Sequence, residues 1–588
     1  MKRYIGLLFA VMLVFSACQD DFFEPALENH LQLENVYDNP IYAEGLLLNA
    51  YARLPFASWD ITDVATDNAV SNDNENAYRR MATGQWSSEN NPMSRWNASR
   101  SALQYLNSLL SVADSVQWAI DARPRSMFNE RIKGEVYALR AVFMYDLLQA
   151  HGGWTEAGEL LGVPIILEPE DVSSDFNQAR ASFEACIQQI YADLDSAESL
   201  LPLDYEMISS EEEMPARFRE IGATVDEYNR TYGDYFRSRI TARIVKGVRA
   251  KVALLAASPA YSAGTTTTWE DAASYAGEVL SLNGGLAAMD QDGWTWYSNT
   301  SEISGLTSGI NPPEMLWRGD RVQNNDIEEE HFPPTLYGNG RVNPTQNLVD
   351  AFPMANGYPI NDDLSGYDAA NPYDGRDPRL GAYILYNGSQ AGSSNTVITT
   401  AEDGGTNDGL NQDERSTRTG YYLRKLLRQD VNLNPNNDIE QYKYKAFIRY
   451  TELFLIYAEA ANEAWGPKGA GAYGFSAYDV IKALRTRAGV GTDNNDPYLE
   501  LAAADKEQMR ALIKNERRLE LSFEGFRFWD LRRWNEELNV GAEGVAIRNG
   551  VHHRINVENR VYRDHMYHGP LPYSEVLKYD ALIQNRGW

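Results

Sequence analysis

The chain has 588 residues, with 83 acidic against 53 basic side chains and a formal net charge of −30. A surface this acidic is repelled by phosphate backbones and anionic lipid, which argues against nucleic-acid and peripheral membrane binding. Aromatics reach 11%, with 13 Trp and 35 Tyr, so rings are left over for a binding surface, and no Pro/Gly/Ser linker splits the chain, so a single large unit is expected.

Residues 1–17 read as a targeting segment. Lys2 and Arg3 form a positive start, Ile5 to Phe15 a short apolar run, and Ser16-Ala17 the small residues before a cut. Cys18 follows, and Phe15-Ser-Ala-Cys18 resembles a bacterial lipobox with Phe in place of the usual Leu. Acylation of Cys18 would anchor the chain. The one other cysteine, Cys186, lies on an apolar helical stripe and reads as a small buried hydrophobe, leaving no internal disulfide in a mature acylated chain.

Periodicity predicts a helix over 40–55 and then a polar loop from Trp59 to Asn76 containing Thr66-Asp67-Asn68-Ala69. A helix starts at Trp96. The clearest helix runs from Arg131 to Ala150, with Val136, Leu139, Phe143 and Leu147 on one face and Gly152-Gly153 at its end. Another carries Phe183, Ile187, Ile190, Leu194, Ala197 and Leu201 and stops at Pro202. Residues 205–237 form an insert with Glu211-Glu212-Glu213 and Tyr228, Tyr232 and Tyr235, to which the sequence assigns no role. A third helix spans Ile244 to Ala257 and ends at Ser258-Pro259-Ala260-Tyr261. From Ser262 to about Asn437 the pattern turns to Gly, Asn, Asp, Thr and Pro with scattered rings, which predicts long functional loops. Helices return around Arg449 to Glu463 and Tyr478 to Val490.

Near the C-terminus, Leu512, Glu516, Glu520 and Phe523 recur three or four apart, so carboxylates share a helical stripe with apolar anchors. Buried carboxylates need forked partners, and Arg517, Arg518, Arg527, Arg532 and Arg533 are near in sequence. Gly525 is the expected break before a second helix with Phe526, Trp529 and Leu531. This reads as a helical hairpin pinned by ion pairs, not as a catalytic group.

The stretch Glu516-Arg517-Arg518 to Trp534 closely resembles the C-terminal motif of the SusD/RagB family, the nutrient-binding outer-membrane lipoproteins of Bacteroidetes. Lys133-Gly-Glu-Val to Ala141, Ser258 to Tyr261, Asn343-Pro344-Thr345 to Phe352, Arg376 to Leu380 and the closing Gln584-Asn585-Arg586-Gly587-Trp588 are similar to further family motifs. Trp96 with Leu103 and Asn107 matches a family pattern in part, with Arg100 and Leu103 where Tyr and Ile are usual. The resemblance implies an all-α fold: four tetratricopeptide-like helix pairs as scaffold with a large loop-rich subdomain. It implies a signal peptide at 1–17, a lipidated tether at 18–39, an N-terminal helical scaffold at 40–261, a loop-rich ligand-binding subdomain at 262–445 and a C-terminal scaffold at 446–588. It also implies a cell-surface position, a glycan ligand and a SusC-type TonB-dependent transporter as partner.

The sequence holds no G-x-x-x-x-G-K-[ST] loop, H-E-x-x-H helix, G-x-S-x-G elbow or paired C-x-x-C, so no catalytic residue, metal or cofactor is assigned. His552-His553 and His565 with His568 read as solvated histidines. Asn72-Asp73-Asn74-Glu75 and Asp290-Gln-Asp292-Gly293 offer hard oxygens to calcium without completing an EF-hand spacing. Glycan binding needs flat rings beside polar groups. Candidate platforms are Trp59, Tyr78, Trp294, Trp296, Tyr297, Trp317 and Tyr337, and candidate polar partners are Asp67, Asn72, Arg79, Arg318 and Asp320. A platform hiding ~70 Å² contributes about 1.5 to 2 kcal/mol, so several together suit an extended oligosaccharide. A peptide- or glycoprotein-binding module and a glycoside hydrolase are the other readings.

Overall fold

The computed structural model describes residues 39–55, 59 and 61–588. The expected leader and Cys18 lie outside the described residues.

The scaffold is helix-rich. Its main helices are α1 (Pro40–Tyr51), α2 (Trp96–Val112), α3 (Ala122–His151), α4 (Phe183–Leu200), α5 (Ala242–Ala257), α6 (Trp269–Leu282), α7 (Tyr450–Trp465), α8 (Ala477–Arg487), α9 (Lys506–Glu520) and the short α10 (Arg527–Arg533). Each of α1 to α6 packs on the next, α6 packs on α7, and α7 on α8 and α9. One apolar core therefore runs through the whole series. The C-terminal half of α3 is buried nearly all round because α2 and α4 flank it. It ends at Gly152, where a Cβ would lie 2.6 Å from the Leu148 carbonyl oxygen. Ser182 caps α4 by accepting from the Ala185 amide. Cys186 on that helix is fully buried, and burial pushes its thiol up to about 11, as befits a packing residue.

Three expectations about the elements are corrected. The first helix stops at Tyr51, short of 55. The change to irregular structure predicted at Ser262 begins later, because α6 intervenes, capped by a reciprocal Thr268–Asp271 box and buried through Ala272, Ala273, Ala276, Val279 and Leu280. Its buried face is mostly alanine, which gave a weak apolar stripe in the sequence. The fold is also not purely helical. Among the described residues, strands form seven two-stranded antiparallel sheets. Of these, β1 (Ala69–Ser71) pairs with β3 (Val342–Pro344), β2 (Met315–Arg318) with β4 (Ala446–Arg449), and β5 (Ala542–Arg548) with β6 (Val551–Glu558). The first two tie the loop-rich middle to distant parts of the chain, and a second apolar core forms there. The 205–237 insert has a small core of its own, in which Tyr205, Phe218, Tyr228 and Tyr232 pack with Met127 of α3 while Tyr235 stays 87% exposed.

The C-terminal hairpin exists, with different ion pairing from that expected. Glu516 and Glu520 are fully buried. Glu516 accepts from Arg379 at 2.9 Å and Arg485 at 2.8 Å; Glu520 from Arg487 at 2.7 Å and Arg379 at 3.1 Å; Glu524 from Arg449 and Lys425, both at 2.7 Å. All these cations are remote in sequence. The neighbouring arginines could not serve, since adjacent helical positions point about 100° apart. Arg517 and Arg533 bind Asp530, Arg533 also binds Glu459, Arg518 and Arg527 bind Asp67, and Arg532 stacks on Phe528, 3.5 Å from the ring centre. The helix ends at Glu520, before Phe523, and the turn puts both Phe523 (φ 64°) and Gly525 (φ 86°) in left-handed backbone.

Candidate functional site

The turn after α9 forms one wall of a deep cleft, with about 1300 Å³ of empty space counted to its open mouth. Opposite walls come from α3 (Tyr145, Asp146, Gln149), α5 (Lys251, Leu254, Leu255), β4 (Ala446, Phe447, Arg449) and α7 (Glu452, Ile456). Trp59, Phe447, Phe526 and Trp529 supply half-buried rings, while Leu255 and Ile456 close the wall behind. Among the described residues, no lining residue is fully exposed. The Lys445 ammonium lies 4.7 Å from the centre of the Trp59 ring.

The charged groups on the walls are paired. Asp530 is held by Arg517 and Arg533 at 2.8 Å each, Glu524 by Arg449 at 2.7 Å, Glu452 by Lys251 at 2.8 Å, and Asp146 lies 3.6 Å from Arg95. Burial raises the Asp530 and Glu524 carboxyls, but their cations overcome it and hold both below the usual carboxylate range. Asp146 goes the other way. Burial pushes it up to about 6, against the opposing pull of Arg95 and the Ser99 hydroxyl. Thr62 Oγ1, Glu452 Oε2, Arg517 Nη1 and Trp296 Nε1 are buried without a hydrogen-bond partner among the described residues.

Of the residues singled out in the sequence, Trp59 and Trp296 meet at this cleft. The others are dispersed. The expectation of open platforms is corrected for Trp296, Tyr297 and Trp317, which are only 4%, 6% and 3% exposed. Trp296 packs on Tyr444 with ring centres 5.3 Å apart, Tyr297 donates its hydroxyl to the Ala382 carbonyl at 3.1 Å, and Trp317 meets Phe447 edge-on. The reason for Trp317 is the β2–β4 pairing, which lays this strand under α5, where a Cβ on Gly247 would come 2.6 Å from Leu316.

Arg318 is corrected likewise. It is buried and donates to the backbone carbonyls of Ile310 and Gly319. Asp67 is clamped by Arg518 and Arg527, Asn72 donates to the carbonyls of Asn339 and Gly340, and Arg79 pairs with Glu558 at 3.0 Å, so these three brace the first loop instead of rimming a site. Tyr78 is half-buried between two apolar clusters, and Trp294 leans on Tyr383. Asp320 and Tyr337 are exposed, outside the cleft. The turns considered for calcium spend oxygens locally: Asp73 accepts from the Glu75 amide and Asp290 from the Asp292 amide.

Tyr145, Gln149, Lys251, Lys445, Phe447 and Glu452 were not singled out in the sequence, and Arg517, Phe526 and Trp529 were read only as parts of the helical hairpin. Their signal was masked because most sit on helices or strands whose other positions are buried. A half-buried ring on an amphipathic helix, such as Trp529, fits the apolar stripe as well as a core residue does.

Two family models match the chain. One, described as the SusD family, matches residues 313–588; the other, described as starch-binding associating with outer membrane, matches residues 35–215. The chain belongs to the SusD/RagB family. Two curated SusD-like proteins of Formosa agariphila are similar to this member: 31% identical over 164 residues, 28% of this chain and 29% of that protein, and 30% identical over 119 residues, 20% and 22%. The matched stretches thus span less than a third of those relatives. Solved structures agree on the fold. A SusD-like protein from Bacteroides fragilis has a TM-score of 0.70 at 20% identity, over 96% of this chain and 100% of that one. A SusD-like carbohydrate-binding protein from the same species scores 0.67 at 19% identity, over 93% and 99%. A laminarin-binding SusD-like protein scores 0.55 at 18%, over 94% and 100%.

Proposed function

We propose that this SusD/RagB protein captures a glycan in the cleft between its helical scaffold and the C-terminal turn, without altering it. The observation that carries the reading is the cleft itself, where five half-buried rings, Tyr145 among them, stand beside hydrogen-bonding groups. A sugar presents a C–H face to such rings and a rim of hydroxyls to such groups. The descriptions of relatives as carbohydrate-binding and laminarin-binding support it. Of the four wall carboxylates, Asp146 and Glu452 are left for the hydrolysis test below, and two are unsuited to glycosidase chemistry, which needs an acid and a second carboxylate free to face the bond. Here Glu524 and Asp530 are bound by cations in the wall.

In this reading, acylated Cys18 tethers the protein at the outer-membrane surface, the helices act as tetratricopeptide-like pairs, and a SusC-type TonB-dependent transporter receives the cargo. Tethering raises local concentration, so modest affinity suffices for delivery. The starch-binding, outer-membrane description of the N-terminal family match supports that setting. The test is a glycan array run beside a peptide library, with co-purification from membranes. Glycan binding together with a co-purifying barrel protein is expected. Peptide binding alone, or hydrolysis of the bound glycan by pure protein, overturns the proposal.

A further inference from the structure

We infer that Arg95, Asp146 and Gln149 are the sugar-reading wall of the cleft, and that Arg95 and Asp146 together hold two neighbouring free hydroxyls of one neutral sugar. The inference rests on the reading of the cleft as the glycan site.

The wall carboxylates are of two kinds. Asp530, Glu524 and Glu452 are held by cations at 2.7 to 2.8 Å, with 8% or less of each side chain exposed. Asp146 is held loosely and keeps 13% of its side-chain surface, beside an Arg95 side chain that keeps 22%. Its Oδ2 accepts from the Ser99 hydroxyl at 3.1 Å, but Oδ1 lies 3.6 Å from Arg95 Nε, beyond hydrogen-bond range. Among the described residues the Arg95 guanidinium makes no hydrogen bond, and neither it nor Asp146 Oδ1 is one of the atoms sealed without a partner. Both groups therefore open on the cleft that they line.

The backbone brings the three residues together. Asp146 and Gln149 are three apart on α3 and so share a face. Arg95 immediately precedes α2, and its amide donates to His151 Nε2 at the end of α3 at 3.1 Å, which ties its guanidinium to that helix. Gln149 is half-buried and donates to the Tyr145 hydroxyl at 3.2 Å, while its Oε1 is unsealed and has no partner among the described residues. Phe526 and Trp529 stand on the facing wall, where they can carry the C–H face of a ring.

An open acceptor beside open donors selects what binds. Of two hydroxyls on adjacent ring carbons, one can donate to Asp146 Oδ1 while the next accepts from Arg95, and both bonds are charge-assisted. An acidic sugar would suit Arg95 but meet Asp146, and an amino sugar would do the reverse. An apolar ligand would strip water from both groups and return nothing.

The test is calorimetric titration of the full chain with the strongest array glycan as its trisaccharide, and with that trisaccharide deoxygenated at one ring position at a time. Loss of either of two neighbouring hydroxyls is expected to weaken binding about tenfold or more. Arg95→Ala and Asp146→Ala should each weaken the native sugar about as much, and each should shrink the penalty of one of those two deoxygenations to within about twofold. Gln149→Ala is expected to cost about threefold. Where Asp146→Ala, which strands the Ser99 hydroxyl, fails to fold, Arg95→Ala and the deoxygenated series still decide. If Arg95→Ala binds as tightly as the native chain, or if the deoxygenation penalties are unchanged in the variants, this wall does not read the sugar, and the glycan reading stands. A strongest ligand that is an acidic or amino sugar overturns the inference in the same way. If no glycan binds, both fall.

Discussion

The C-terminal ion-pair cluster and the cleft beside it share the α9–α10 turn yet treat buried polarity in opposite ways. In the cluster, Glu516, Glu520 and Glu524 each meet two or more cations from elsewhere in the chain. Among the cleft residues, Glu452 Oε2, Arg517 Nη1, Trp296 Nε1 and Thr62 Oγ1 are sealed in the wall without a hydrogen-bond partner among the described residues. Cations on every carboxylate make a rigid junction, because removing any member strands a buried charge. A sealed, unmatched atom in the wall costs stability instead of adding to it. The turn serves both: Glu524 closes the cluster, and Gly525, Phe526 and Trp529 face the cleft.

The largest way to break this comparison is within the cluster. Glu516→Ala leaves Arg379 and Arg485 without a shared carboxylate and is expected to cost about 3–5 kcal/mol of stability, read by chemical denaturation. A loss under about 1 kcal/mol would mean that the junction does not depend on these pairs.

Next in size is the cleft. Trp529→Ala removes a ring from its wall and is expected to reduce glycan affinity about tenfold or more, the equivalent of ~70 Å² of apolar contact, with a much smaller effect on stability than Glu516→Ala. Phe447→Ala should act in the same direction. Equal loss of stability and binding in Trp529→Ala would instead make it a core residue.

Acid separates the two regions further. Burial raises Glu520, but Arg487, Arg449 and Arg379 overcome it and hold it at about 2, and Glu516 and Glu524 are depressed by their cations in the same way. Carboxyls depressed on folding contribute stability that is present above their unfolded pKa, about 4.3, and lost as pH falls toward the folded values. Melting temperature should therefore drop steeply below about pH 4.5. Asp146, raised by burial to about 6, has the opposite sign: its contribution is present below the unfolded value of about 3.9 and is lost as pH rises through 6. Asp146→Asn is thus expected to flatten any change in glycan affinity between pH 5 and 7, measured by calorimetry. The smallest effects are expected at Tyr337→Ala and Asp320→Ala, exposed and outside the cleft, with stability changes within about 0.5 kcal/mol and unchanged affinity.

How much of this was legible in sequence depended on whether the cause was local. The long helices, the buried Cys186 and the hairpin with its carboxylate stripe follow from periodicity and capping, and the family from motifs. The partners of Glu516 and Glu520 were not legible, since Arg379, Arg485 and Arg487 lie up to 141 residues away and only the fold brings them in. Trp317 looked like a loop ring until β2 paired with β4 some 130 residues later. Asp67, Asn72 and Arg79 were recognisable as a polar cluster, but their work in bracing the first loop depends on Arg518, Arg527, Glu558 and the carbonyls near Gly340. A cleft assembled from α3, α5, α7, α9, α10, β4 and several loops leaves no single stretch with its signature.

The most direct measurement is a crystal structure of the protein with its strongest array glycan. The account predicts sugar density in the cleft, against Trp59, Phe447 or Trp529. Density confined to the outer surface near Tyr337 and Asp320, with the cleft unchanged, would contradict it.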